Sequence, residues 1–233
     1  MVIPPNGNYE LCIMNYALKK NKMKTFKNRL KFHAPGLAPV EDESGWYHID
    51  IQENAIYPQR YKRAFGFYDN LAAVTDFDGN CFHIDINGKQ IYNQNYAFCG
   101  NFQEEKSVVR DFDGNYFHIA TNGKRLYSEN YRYVGDFRDG YACAMLADGS
   151  YIHIDSKGNA LNGRHFLDLG VFHKGFATAK DANGWFHINK DGNALYSERY
   201  AIVEPFYNGF ALVTDFNGNK LIINENGENV LCV

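Results

Sequence analysis

Apolar and polar positions along this chain alternate in short runs, and the runs recur. The plainest marker is a His-Ile step. His48, His83, His118, His153 and His187 are followed by Ile49, Ile84, Ile119, Ile154 and Ile188, at spacings of 35, 35, 35 and 34 residues. Ile222 and Ile223 carry the column 35 residues further, and Ile13, 35 before His48, is a degenerate start with poorly matching neighbours. Other columns keep the same step. An aromatic opens each unit (Phe26, Tyr61, Tyr96, Tyr131, Phe166, Tyr200), and six residues on stands a phenylalanine (Phe32, Phe67, Phe102, Phe137, Phe172, Phe206). A small residue follows at Ala38, Ala72, Ser107, Ala142, Ala177 and Ala211, and two later comes Val40, Val74, Val109, Ala144, Ala179 or Val213. A fixed period of this length marks a repeat architecture, in which no unit buries its own apolar face and neighbours must stack.

Within a unit the pattern predicts short strands. A G-x-A-x-V run with alternating burial leads into a tight turn at D-x-D-G or A-N-G. An aromatic-rich strand ending in His-Ile follows, then a second turn such as INGK or TNGK, then a last strand ending in a tyrosine. The small column implies a close backbone approach, where a larger side chain would overpack. This reads as one all-β domain over residues 26–233, with units starting near 26, 61, 96, 131, 166 and 200 and a basic leader at 1–25. Two shapes satisfy the pattern: a six-bladed propeller-like array of small sheets, and an open β-solenoid of stacked hairpins. The integral count of units favours the propeller.

Composition agrees with a turn-rich β protein. Of 233 residues, 21 are Gly, 16% are aromatic and 45% are apolar, enough for a packed core. The net charge of −3 is unevenly spread. Residues 1–33 hold seven basic side chains against Glu10 alone, whereas the rest holds 17 basic and 26 acidic ones. The leader could meet an anionic surface, but it has scattered aromatics and no nucleic-acid motif, so nucleic-acid binding is not expected. No apolar run is long enough to span a membrane, and the first 20 residues lack signal-peptide order. The five cysteines (Cys12, Cys81, Cys99, Cys143, Cys232) form no C-x-x-C, which predicts reduced thiols and a cytoplasmic setting.

Several units match the WG-repeat (KWG-repeat) pattern. Trp46-Tyr47-His48-Ile49-Asp50 and Trp185-Phe186-His187-Ile188-Asn189 fit its aromatic, Ile and Asp/Asn positions. Gly88-Lys89, Gly123-Lys124 and Phe206-Tyr207-Asn208-Gly209-Phe210-Ala211-Leu212-Val213 fit its later ones. From about residue 26 onward the chain therefore resembles the WG-repeat family. The resemblance implies a bacterial repeat module without a common reaction of its own.

The candidate chemistry is sparse. Asp76-x-Asp78-Gly79 and Asp111-x-Asp113-Gly114 look like calcium loops, but the twelfth positions are Asn87 and Asn122 where a bidentate Glu is needed. A turn requires only the Asp acceptor and the Gly, so these segments read as turns. The in-phase histidines His48, His83, His118, His153 and His187 could form a ring of nitrogens for a metal such as zinc. Asp50, Asp85 and Asp155, two residues on and on the same strand face, could orient the imidazoles. The plainer reading is packing, and neither a metal nor a cofactor is expected. Trp46 and Trp185, with the tyrosines Tyr57, Tyr92, Tyr127 and Tyr196, could stack on sugar rings. Nucleophile, phosphate-loop and dinucleotide motifs are absent from the sequence. The expectation is a monomeric, non-enzymatic scaffold that binds a protein partner, with a glycan or metal module on the His and aromatic columns as the alternative.

Overall fold

A computed structural model of the chain describes residues 25–232. The predicted leader, 1–25, therefore lies almost wholly outside the described residues. Among the described residues the regular structure is six antiparallel sheets, five of three strands and a last one of four. The third sheet is representative, with Phe98–Cys99, Lys106–Arg110 and Tyr116–Ala120 paired in order. Each sheet gains an irregular outer edge from the segment that follows. In the first unit Trp46 and Tyr61 exchange two backbone hydrogen bonds of 2.8 and 2.9 Å. The aromatic that opens a unit in the sequence phase thus closes the sheet before it, as Tyr96 does with Cys81 and Tyr131 with Tyr116.

In a solenoid the hydrogen-bond ladders would run from unit to unit. Here the main ladders stay inside each unit, and adjacent sheets meet through side chains, face against face. The architecture is the propeller-like one. Register sets which column faces which neighbour. Ser107 lies opposite Ile119 and Val109 opposite Phe117 on one face, while Val108 lies opposite His118 on the other. Alternating burial was expected for the G-x-A-x-V run. Instead three consecutive residues are buried, as at Ala72, Ala73 and Val74, because both faces of an interior sheet are covered. The sixth sheet does alternate: Ala211 and Val213 are buried, while Leu212 and Ile222 are only partly so. Among the described residues, no hydrogen bond, ion pair or ring contact joins the first unit to the sixth.

The core repeats with the sequence. All six in-phase isoleucines (Ile49, Ile84, Ile119, Ile154, Ile188, Ile223) are fully buried. Phe67, Phe102, Phe137 and Phe172 are each 1% exposed, and burial of such a side chain stabilises by about 1.5–3 kcal/mol. The D-x-D-G segments are turns, as expected. The Asp111 carboxylate accepts hydrogen bonds from the backbone N–H of Asp113 and Asn115, at 3.0 and 2.8 Å. Gly114 follows with φ +91°, the left-handed region that glycine reaches without cost.

The glycine of the second turn has a different task. Gly123 has φ +77°, and a Cβ there would lie 2.5 Å from Cγ of Tyr92 in the preceding unit. Its bare face is the seat for that ring. At Gly114 a Cβ would meet nothing within 4 Å. Gly114→Ala is therefore expected to cost only the backbone strain, about 1 kcal/mol, and Gly123→Ala at least about 2 kcal/mol more through overpacking. Urea denaturation of both variants checks this; equal losses would show that the seat is not tight.

Candidate functional site

The five histidines hold equivalent places in successive units, each buried between its own sheet and the next. His118 shows the plan. Its Nε2 lies 2.8 Å from the carbonyl oxygen of Gly135 in the next unit, and its Nδ1 lies 2.5 Å from the hydroxyl of Tyr127. A carbonyl only accepts, so Nε2 carries the proton and donates, and Nδ1 accepts from the tyrosine O–H. His83 repeats this with Tyr92 and Gly100, and His187 with Tyr196 and Glu204. His48 does the same with the Tyr57 hydroxyl and the Phe65 carbonyl. Each imidazole also packs on the next unit's phenylalanine; the His118 and Phe137 ring centroids are 4.5 Å apart.

His153 departs from the plan. Its Nε2 reaches the Gly170 carbonyl at 2.8 Å, but the residue nine positions on is Asn162, where the others have tyrosine. Asn162 turns outward and donates to the Asp191 carbonyl at 2.8 Å. Nδ1 of His153 is left buried without a partner. Burial holds the neutral form of these rings. It pulls His48, His83, His118 and His153 down to about 4, against a weaker upward pull from the carbonyl bonds, and lowers His187 as well.

The aspartates do not orient these rings. Asp85 instead accepts from the backbone N–H of Asn87 and Lys89, both at 2.9 Å, and Asp155 does the same at Lys157 and Asn159. Each aspartate stands at the mouth of a turn, where nearby orphan N–H groups bind it first. The orienting group is the tyrosine nine residues on. Four of the histidines have both nitrogens engaged within the protein, and among the described residues no three His, Cys, Asp or Glu side chains are grouped to hold a metal.

Trp46 and Trp185 stand half-buried at one register, which Tyr116 and Tyr151 share in other units. Trp46 borders a notch with Leu30, Lys62, Arg63 and Phe65, and the Lys180 ammonium lies 5.6 Å from the Trp185 ring. The same register borders an opening at Tyr116. A groove of about 330 Å³ runs there between the first strands of the third and fourth units. Its walls include Phe65, Phe98, Tyr116 and Tyr133, and Asn101 and Asp136 supply polar groups. Phe98 is 38% and Tyr133 46% exposed.

The groove exists because of a trade in side-chain bulk. Phe65 faces the small Ala73 in the second unit, while Gly100 faces Val108 in the third and Gly135 faces Cys143 in the fourth. A Cβ on Gly100 would lie 2.6 Å from Cγ1 of Val108, so the valine at 108 requires glycine at 100. The volume that the Phe65 ring occupies in its own unit is left open in the next two. Asp136 borders this space. Burial raises its pKa, against the opposing charge of Arg138.

No protein-family model matches the chain, and no curated protein matches it. Solved structures do. The computationally designed protein Ika8 is similar with a TM-score of 0.52 at 13% identity, over 85% of this chain and 71% of that one. BamB from Moraxella catarrhalis gives 0.49 at 17% identity, over 85% and 70% of the two chains. The WD40 β-propeller domain of Doa1 gives 0.39 at 13% identity, over 90% and 84%. At 13% identity the likeness to Ika8 is one of fold alone. Among the described residues no helix is long and apolar enough to cross a membrane.

Proposed function

We propose that this chain is a non-catalytic protein-binding platform, a WG-repeat-like array that presents its groove to a partner. One observation carries the reading. Two aromatic side chains, Phe98 and Tyr133, stay substantially exposed at the mouth of a groove built on packed strands. Aromatic anchors in a preformed cleft are the usual core of a recognition surface. The histidine column supports the same reading from the other side. In four of the five histidines both ring nitrogens are committed within the scaffold, Nδ1 to a tyrosine of the same unit and Nε2 to a carbonyl of the next, which supports a structural role for the column. The groove residues were not singled out by the repeat, because Phe65, Gly100, Gly135 and Gly170 occupy one column without a common side chain.

Capture from lysate with tagged protein tests the proposal. A partner enriched by the parent chain should be lost with Tyr133→Ala and kept with Phe112→Ala, which removes an exposed turn aromatic outside the groove. Equal recovery with both variants would remove the groove from the interface.

A further inference from the structure

The groove holds a carboxylate that the fold does not use. Asp136 makes no hydrogen bond or ion pair with any described residue, although it is drawn partly out of water. Its Oδ1 lies 3.7 Å from where a Cβ of Gly100 would stand, so the absence of a side chain at Gly100 keeps the carboxylate open to the groove. The rings beside it present π-faces. Tyr116 and Tyr133 have centroids 5.8 Å apart with planes tilted by 57°. One of them already meets a cation: Cζ of Arg110 lies 5.7 Å from the Tyr116 ring centroid. Arg138 acts on Asp136 through its charge without forming an ion pair.

We propose that the groove binds one cationic side chain, arginine or lysine, carried by a flexible segment of a partner protein. This rests on the platform reading and names what that surface selects. Three features converge on the ligand class. The carboxylate has no ion-pair or hydrogen-bond partner at contact distance among the described residues, and a guanidinium or ammonium supplies both charge and donors. The aromatic faces attract a cation through their negative quadrupoles and exclude an anion. The volume, about 330 Å³, suits one long side chain with part of its backbone and is too small for a folded element. A neutral side chain of the same shape would satisfy the rings and leave the carboxylate unpaired.

The test is an amide chemical-shift titration of the full chain with two peptides, acetyl-Gly-Arg-Gly-amide and its citrulline counterpart. The arginine peptide should move the amides of Gly100, Asn101, Gly135 and Asp136. The citrulline peptide should bind on the order of ten-fold more weakly. Asp136→Asn should lower arginine-peptide affinity by a similar factor at an unchanged thermal midpoint. Tyr133→Leu, which keeps bulk and removes the π-face, gives a second loss should Asp136→Asn fold poorly. Equal binding of both peptides, or no shift with either, overturns the cation proposal. The platform reading is judged separately by the Tyr133→Ala capture experiment. A partner lost with Tyr133→Ala but kept with Asp136→Asn would retain the platform and refute the cation.

Discussion

Acidification from pH 7 to pH 5 is expected to remove most of the stability of this fold. The cause is the histidine column. In the unfolded chain these side chains take up a proton near pH 6.5, whereas in the folded protein burial holds His48, His83, His118 and His153 to about 4. Depressed folded values mean that the unfolded state binds protons first as the pH falls. The contribution is therefore complete above pH 6.5, declines from there toward pH 4, and levels off below. At pH 5 each such histidine costs about 2 kcal/mol. Four together approach about 8 kcal/mol, comparable with the whole stability of an ordinary domain. His187 acts in the same direction. Urea midpoints measured at half-unit steps from pH 7.5 to 4.5 should fall steeply below 6.5. A flat profile across that window would mean that the rings titrate normally and are not sealed.

His118→Ala should be among the most damaging single changes. It opens a cavity against Phe137 and strands two polar groups, the Tyr127 hydroxyl and the Gly135 carbonyl. The expected loss is about 3–5 kcal/mol. His118→Phe separates the two causes, because it keeps the ring and abandons the hydrogen bonds; about 2 kcal/mol should remain lost. His153→Phe provides an internal control. Nδ1 of His153 has no partner to lose, so this variant should cost less than His118→Phe. Chemical denaturation of the three variants would refute the account if His118→Phe matched the parent, or if His153→Phe proved the costlier phenylalanine change.

Much of the architecture was legible because each unit repeats the same demands. The His-Ile step, the small column and the turn glycines each recur at intervals of about 35 residues, so the strands and turns could be read without a structure. Pairing across the gap between units was harder. The tyrosines at 57, 92, 127 and 196 stood out as a column, and their offset of nine residues from the histidines was available. What hid the link was the irregular segment after the second turn, which brings the hydroxyl back to the imidazole by a route that strand alternation does not describe. Nearby aspartates seemed better placed, yet each is bound by its own turn. The groove was hidden for the opposite reason. It arises where units differ, and only the inverse sizes of Phe65 with Ala73 and Gly100 with Val108 could have signalled it.

The histidine-to-carbonyl bond across each junction reaches a residue 17 positions on, whichever pair of units is considered. Every junction is in this sense interchangeable. Excision of residues 96–130 would bring His83 to the Gly135 carbonyl and set its ring on Phe137, the same contacts one period later. Loss of half that length would set the middle of the Tyr116–Ala120 strand where the first strand of a unit is required. A chain shortened by one whole period therefore keeps, at its new junction, the contacts every other junction has, whereas a cut out of phase breaks the first junction it touches.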